Sequence, residues 1–210
     1  MMIVYGIELL LGWIFAGWYL MHHIDGYEGK AKKILSAAMI VITLIEAVVL
    51  VKVYPSNAMM QNIRILWLSV LLWPIAANDH REHKIPNKLL AAGVVFWMAS
   101  EVAEAFLDSK EALRNLLSGG LAAVIVFVLC LVCMLIVING VGMGDAKLLA
   151  VMGMLEGLTG LYTSLFYSLI TAFFMACYLL LFKKKGRKDV MAFGPAILIG
   201  TVISVMLSGA

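Results

Sequence analysis

Two aspartates stand where polar stretches meet long apolar runs. Asp79 lies in Asn78-Asp79-His80-Arg81-Glu82-His83-Lys84-Ile85-Pro86-Asn87, and Asp145 lies in Gly142-Met143-Gly144-Asp145-Ala146-Lys147. An ionisable group beside a bilayer is costly to place, so such groups are functional candidates by default. Two carboxylates a few ångströms apart cannot both ionise cheaply, and one proton is shared between them. One can then act as base on a water while the other protonates or polarises a scissile carbonyl. That is the chemistry of an aspartic protease working at a membrane surface. Taken singly, Asp145 reads as a helix cap and Asp79 as a solvated loop charge; the functional reading rests on the pair.

The surroundings suggest how each is held. Gly140, Gly142 and Gly144 alternate before Asp145, which permits tight turns and close backbone approach. Asp145 is then expected at a helix N-terminus, where free N–H groups and the helix dipole favour negative charge. On this reading Asp145 stays ionised and Asp79 holds the shared proton, although the roles can be exchanged. Asp79 is expected in a short polar loop at the water–lipid boundary. Pro86 is expected in the first turn of the next helix, where its missing N–H costs nothing.

The elements that must position these residues are membrane helices. The chain has 210 residues, 63% of them hydrophobic, and a mean hydropathy of +1.00. A soluble domain of this size cannot bury so much apolar surface. The apolar runs are continuous rather than alternating, which excludes a β-barrel. A span takes about 20 residues, and the expected fold is an all-α polytopic bundle over 1–210, without a separate soluble domain. Eight segments are expected: 2–21, 34–53, 62–77, 86–107, 115–138, 146–158, 160–182 and 192–208. The first reads as a retained helix, not a signal peptide. The sixth is short; it is either a half-span or runs on through Gly157 and Gly160 with a kink.

Charge placement sets the orientation. Of 16 basic residues, 12 fall in the stretches 22–33, 78–88, 139–147 and 183–190. The excess of Lys and Arg on cytoplasmic loops puts these inside, with both termini outside. Asp79 and Asp145 then share the cytoplasmic face of the plasma membrane. Cys130, Cys133 and Cys177 lie in apolar runs, and His80-Arg81-Glu82-His83 lacks the H-E-x-x-H spacing, so no metal site is expected. His22, His23, Asp25, Glu28, Glu82 and His83 read as solvated interfacial residues. Glu46, deep in the second span, reads as a structural hydrogen-bond partner. Glu101 and Glu104 are expected to face water or the bundle. The Lys183-Lys184-Lys185-Gly186-Arg187-Lys188 run is a topology signal with a generic pull on anionic lipid.

Three stretches resemble the type IV prepilin peptidase family, which includes the archaeal preflagellin peptidases. They are Asp79 through Ile85-Pro86-Asn87, then Gly142-Met143-Gly144-Asp145-Ala146-Lys147-Leu148-Leu149-Ala150, similar to a G-x-G-D-x-K-L-L-A pattern, and Phe193-Gly194-Pro195. Their order and spacing agree across 70–205. The resemblance implies a membrane aspartic endopeptidase with Asp79 and Asp145 as catalytic pair. It implies supporting or substrate-approach roles for Gly142, Gly144, Lys147, Pro86, Gly194 and Pro195. The implied substrate is a prepilin, pseudopilin or prearchaellin-like subunit with a short basic leader, in pilus assembly or protein secretion. Acidic residues such as Asp25, Glu28 and Glu82 suit steering that leader. Membrane lipid is the other expected partner, and nucleic acid is not one. Many bacterial members carry a large loop after the first helix with paired C-x-x-C motifs that bind zinc; here that loop is about 12 residues without cysteine. No cofactor is expected for proteolysis, and S-adenosylmethionine only if methylation of the new N-terminus is retained. Two other readings stand beside this one. A presenilin or signal-peptide-peptidase-like protease shares G-x-G-D but places its first aspartate within a helix. An ion-coupled transporter could use both aspartates at mid-membrane.

Overall fold

The computed structural model describes residues 2–24, 27–136, 142–182 and 192–209. Seven helices are assigned among them: α1 (Met2–His23), α2 (Gly29–Lys52), α3 (Met59–Glu82), α4 (Asn87–Leu107), α5 (Ser109–Ile136), α6 (Met143–Phe182) and α7 (Gly194–Ser208). Six of them are long and apolar enough to cross a membrane; α7 is apolar but shorter. The protein is a polytopic helical bundle. α6 breaks at Gly157, whose φ of 71° and ψ of −173° belong to a region open essentially only to glycine. The sixth and seventh expected segments are therefore two helices, 143–156 and 158–182, and the break falls at Gly157. With the two halves of α6 counted separately, the eight expected segments are all present. Asp25, Gly140 and the Lys183–Lys188 run lie outside the described residues.

α3 is the axis of the bundle. From Asn62 to Asp79 every residue except Trp67 is buried, as expected of a helix that is apolar all round. It packs against α1, α2, α4, α6 and α7. Pro74 sits inside it, which neighbouring helices make tolerable in a membrane. Helix association in lipid relies on close packing rather than exclusion of water, so interfaces favour small residues. At the α5–α6 contact, a Cβ on Gly119 would meet the Met154 carbonyl at 2.7 Å, and one on Gly153 would meet the Ala123 nitrogen at 2.9 Å.

Several helices begin or end beyond the expected spans, because backbone hydrogen bonding carries them past the apolar stretch. α2 starts at Gly29 and incorporates Lys30, Lys32 and Lys33; α5 starts at Ser109. α3 runs on to Glu82 and closes with His83 in the left-handed region, its N–H donating to the Asp79 carbonyl. The polar connections shrink accordingly to 24–28 and 83–86. Cross-contacts fix the two ends of the bundle. One end joins Tyr5 to Asn62 at 3.2 Å and Asn57 to the Gly209 carbonyl at 3.1 Å. The other end holds Asp79, Asp145 and Gly194.

Candidate active site

Asp79 lies in the last turn of α3, inside the helix and only 5% exposed. This corrects the expected loop position. The run from Asn78 to Glu82 is polar, but the helix continues through it. The end is pinned from two sides: Asn78 Nδ2 donates to the Lys84 carbonyl at 2.7 Å, and the Arg81 guanidinium lies 5.3 Å from the Tyr27 ring centroid. Aromatic faces attract cations at such distances. The helical setting also removes the local contrast with presenilin-like proteases, which rested on a loop position for the first aspartate.

Asp145 lies in the first turn of α6 and is half-buried. Its Oδ2 accepts the Gly142 N–H at 3.3 Å. The Gly142 carbonyl accepts the Ala146 N–H at 3.1 Å, closing that turn. The helix begins at Met143 and, among the described glycines, only Gly157 and Gly209 carry a positive φ. The expected tight turn at Gly142 and Gly144 is therefore replaced by close approach. A Cβ on Gly142 would lie 3.0 Å from Asp145 Oδ2, and one on Gly144 would lie 3.3 Å from Ile85 Cβ.

The third stretch meets the first here. Gly194 opens α7 with Pro195 beside it, and the Gly194 N–H donates to Asp79 Oδ2 at 2.7 Å. A Cβ on Gly194 would lie 3.0 Å from both Cβ and Oδ2 of Asp79. Both aspartates therefore face a helix N-terminus, Asp145 that of its own helix and Asp79 that of α7. The expected electrical inequality rested on Asp145 alone having that advantage. With α7 supplying the same field to Asp79, that ground for putting the proton on Asp79 disappears. The two side chains are within electrostatic reach of each other.

The remaining candidates rim this pair. Lys147 Nζ donates to Asn87 Oδ1 at 3.4 Å, tying the start of α6 to the start of α4. Pro86 is the N-cap of α4, with the helix beginning at Asn87, one position later than expected. α3, α4, α6 and α7 thus converge at one end, and every proposed site residue lies on one of them or, as Pro86 and Gly142 do, directly before its first residue. Sequence reasoning missed Asn78 and Ile85 as their supports; the polar Asn78 was legible only as part of a loop. The tethered stretch at Tyr27 also brings Glu28 and Glu82 to this end, both exposed.

Elsewhere, Glu46 is buried with Ser69 within reach, but no hydrogen bond joins them, so the expected structural bond is not closed. Glu101 and Glu104 face the bundle, where Arg64 pairs with Glu101 at 2.9 Å and also with Glu104. Asn115 Nδ2 donates to Glu104 at 3.1 Å. Glu101 and Glu104 were expected to face water or the bundle, but their pairing with Arg64 and Asn115 was not legible, because the members lie on three helices.

Comparison with known proteins gives the family. No solved structure gives a significant match. A prepilin leader peptidase/N-methyltransferase from Bacillus subtilis (strain 168) is 28% identical over 142 residues, which is 68% of this chain and 54% of that protein. The chain thus spans about half the length of this curated relative. The profile of the type IV leader peptidase family matches residues 66–180, which run from α3 into α6 and include both aspartates. The chain belongs to the type IV leader peptidase family.

Proposed function

We propose that this protein is an aspartic endopeptidase of the plasma membrane that removes the short basic leader from prepilin, pseudopilin or prearchaellin-like subunits. The observation that carries the reading is the paired setting of Asp79 and Asp145 at one end of the bundle, each held by a glycine N–H. One carboxylate takes a proton from water as the water oxygen attacks the scissile carbonyl carbon. The other donates its proton to the carbonyl oxygen, and collapse of the tetrahedral intermediate sends a proton to the leaving amine. Fixed N–H donors keep both carboxylates aimed, so little reorganisation accompanies the chemistry.

The 12 basic residues in the stretches 22–33, 78–88, 139–147 and 183–190 support a cytoplasmic active site. The family match favours this reading over a presenilin-like protease, and the position of both aspartates at one end of the bundle, rather than at mid-membrane, disfavours a transporter. The proposal covers the peptidase step alone. Methyl transfer, named for the Bacillus relative, is said of that protein alone.

The test is cleavage of a leader-bearing subunit by the purified full chain in detergent, read by mass spectrometry. The expected product is the mature subunit, cut just before its apolar segment. Absence of cleavage with prepilin, pseudopilin and prearchaellin substrates alike would reject the proposal.

A further inference from the structure

Asp79 sits in the last turn of α3 and Asp145 in the first turn of α6. Terminal turns lack part of the backbone bonding that holds a helix interior, and local opening starts there. Two carboxylates that must work as a pair therefore stand on the least constrained parts of their helices. Sharing one proton nonetheless requires a fixed separation. The short connection 83–86 between α3 and α4 supplies it.

The connection is anchored first at the Asp79 end. The His83 N–H donates to the Asp79 carbonyl at 2.9 Å, which closes the helix by itself. His83 takes φ 52° and ψ 39° there, a left-handed geometry that a residue other than glycine keeps only where its surroundings hold it. Asn78 Nδ2 then donates to the Lys84 carbonyl at 2.7 Å. That bond adds nothing to the helix end; it holds the chain beyond it. The Asn78 side chain is buried, so its amide is costly to leave unpaired. The other end of the connection grips Asp145 from both sides. Ile85 packs on Gly144, where a Cβ would lie 3.3 Å from Ile85 Cβ. Asn87, the first residue of α4, accepts from Lys147 Nζ at 3.4 Å. Gly144 directly precedes Asp145, and Lys147 follows it by two positions. Pro86, between Ile85 and Asn87, fixes one more backbone dihedral of this short path.

We propose that Asn78 is a positioning residue whose bond to Lys84 sets the separation of the Asp79 and Asp145 carboxylates. The residue beside one aspartate thus acts on the other, by way of Ile85 and Gly144. Its effect on rate rests on the aspartic endopeptidase reading above; the brace itself is a property of the fold. Without the Asn78 amide, the Lys84 carbonyl loses its donor and Ile85 is free to move off Gly144. The first turn of α6 then shifts against the end of α3. Asp79 keeps its own tie to the Gly194 N–H, so the displacement falls on Asp145. A misplacement of about 1 Å can cost roughly a hundredfold in rate. Asn78 is buried and its amide is spent on Lys84, so the loss falls on kcat and not on KM.

The test uses the purified full chain in detergent, without Cys130, Cys133 and Cys177. His80→Cys and Met143→Cys, both at exposed positions, carry spin labels on the two helix ends. Their dipolar coupling reports the distance between those ends without reference to activity. Asn78→Ala, Asn78→Asp and Ile85→Ala should each broaden that distance distribution. Asn78→Asp matters because aspartate keeps the size of asparagine but cannot donate when ionised. In unlabelled protein, each variant should lower kcat roughly tenfold or more, with KM within about twofold. The Asn78→Ala/Ile85→Ala double variant should be no slower than the slower single one, because both break one path. An unchanged distribution in a folded Asn78 variant overturns the proposal, and so do kcat losses that multiply in the double variant. Ile85 is half-buried, so Ile85→Ala tests the same path if the Asn78 variants fail to fold; an unchanged distribution there overturns it equally. A parent that cleaves no leader sinks the peptidase reading instead, and the label distances alone then decide the brace.

Discussion

At the residue scale, two glycine N–H groups set the site as much as the two carboxylates do. Gly194 and Gly142 each donate to an aspartate, and a Cβ on either would stand 3.0 Å from that aspartate's side chain, which must then shift. Gly194→Ala should therefore lower cleavage through misplacement of Asp79. A displacement of about 1 Å can cost roughly a hundredfold in rate. Gly142→Ala should act likewise on Asp145, with a smaller effect because its hydrogen bond is longer. The check is kcat in purified protein beside the unfolding midpoint: kcat should fall steeply while the midpoint moves little. Both aspartates were legible as residues, and so was the F-G-P stretch. What the sequence did not reveal is that Gly194 touches Asp79, since 115 residues separate them.

At the scale of elements, the break in α6 and the charges buried at the far end set how much strain the bundle tolerates. Gly157 has φ 71°, and a Cβ there would stand 3.0 Å from Ser118 Oγ. Gly157→Ala should destabilise the protein by about 1–3 kcal/mol, the usual cost of forcing a side chain into that backbone region. Ser118→Ala should cost about 1 kcal/mol by freeing one N–H. Denaturant unfolding in mixed micelles measures both, and a neutral Gly157→Ala would show that the break needs no glycine. Arg64→Met should cost about 3–5 kcal/mol, because it leaves Glu101 and Glu104 buried without their cation. Adding Glu101→Gln and Glu104→Gln to Arg64→Met should recover much of that loss in the same assay. The continuous apolar runs made the helices legible, and the short sixth run with Gly157 and Gly160 made the break legible. The end of α3 was not, because Asn78 to Glu82 has loop-like polarity. The helix persists there through the Tyr27–Arg81 and Asn78–Lys84 contacts, which no local pattern announces.

At the scale of the whole molecule, the bundle has two chemically different ends, expected on opposite faces of a membrane. In a background without Cys130, Cys133 and Cys177, Met143→Cys should react with an impermeant thiol reagent from the cytoplasmic side. Ser56→Cys, on the connection between α2 and α3, should react from the opposite side. Reversal of the two would invert the topology derived from basic-residue placement. The number of spans and their order follow from the sequence; the convergence of α3, α4, α6 and α7 on one site does not, because it depends on packing around α3. The central claim is that Asp79 and Asp145 act together as a proteolytic pair. The most direct measurement is leader cleavage by purified Asp79→Asn and Asp145→Asn at matched, folded concentrations. Each asparagine can neither accept the proton from water nor donate one to the carbonyl, so both variants should lose cleavage while keeping the unfolding behaviour of a folded bundle. Near-normal cleavage by either one would contradict the account.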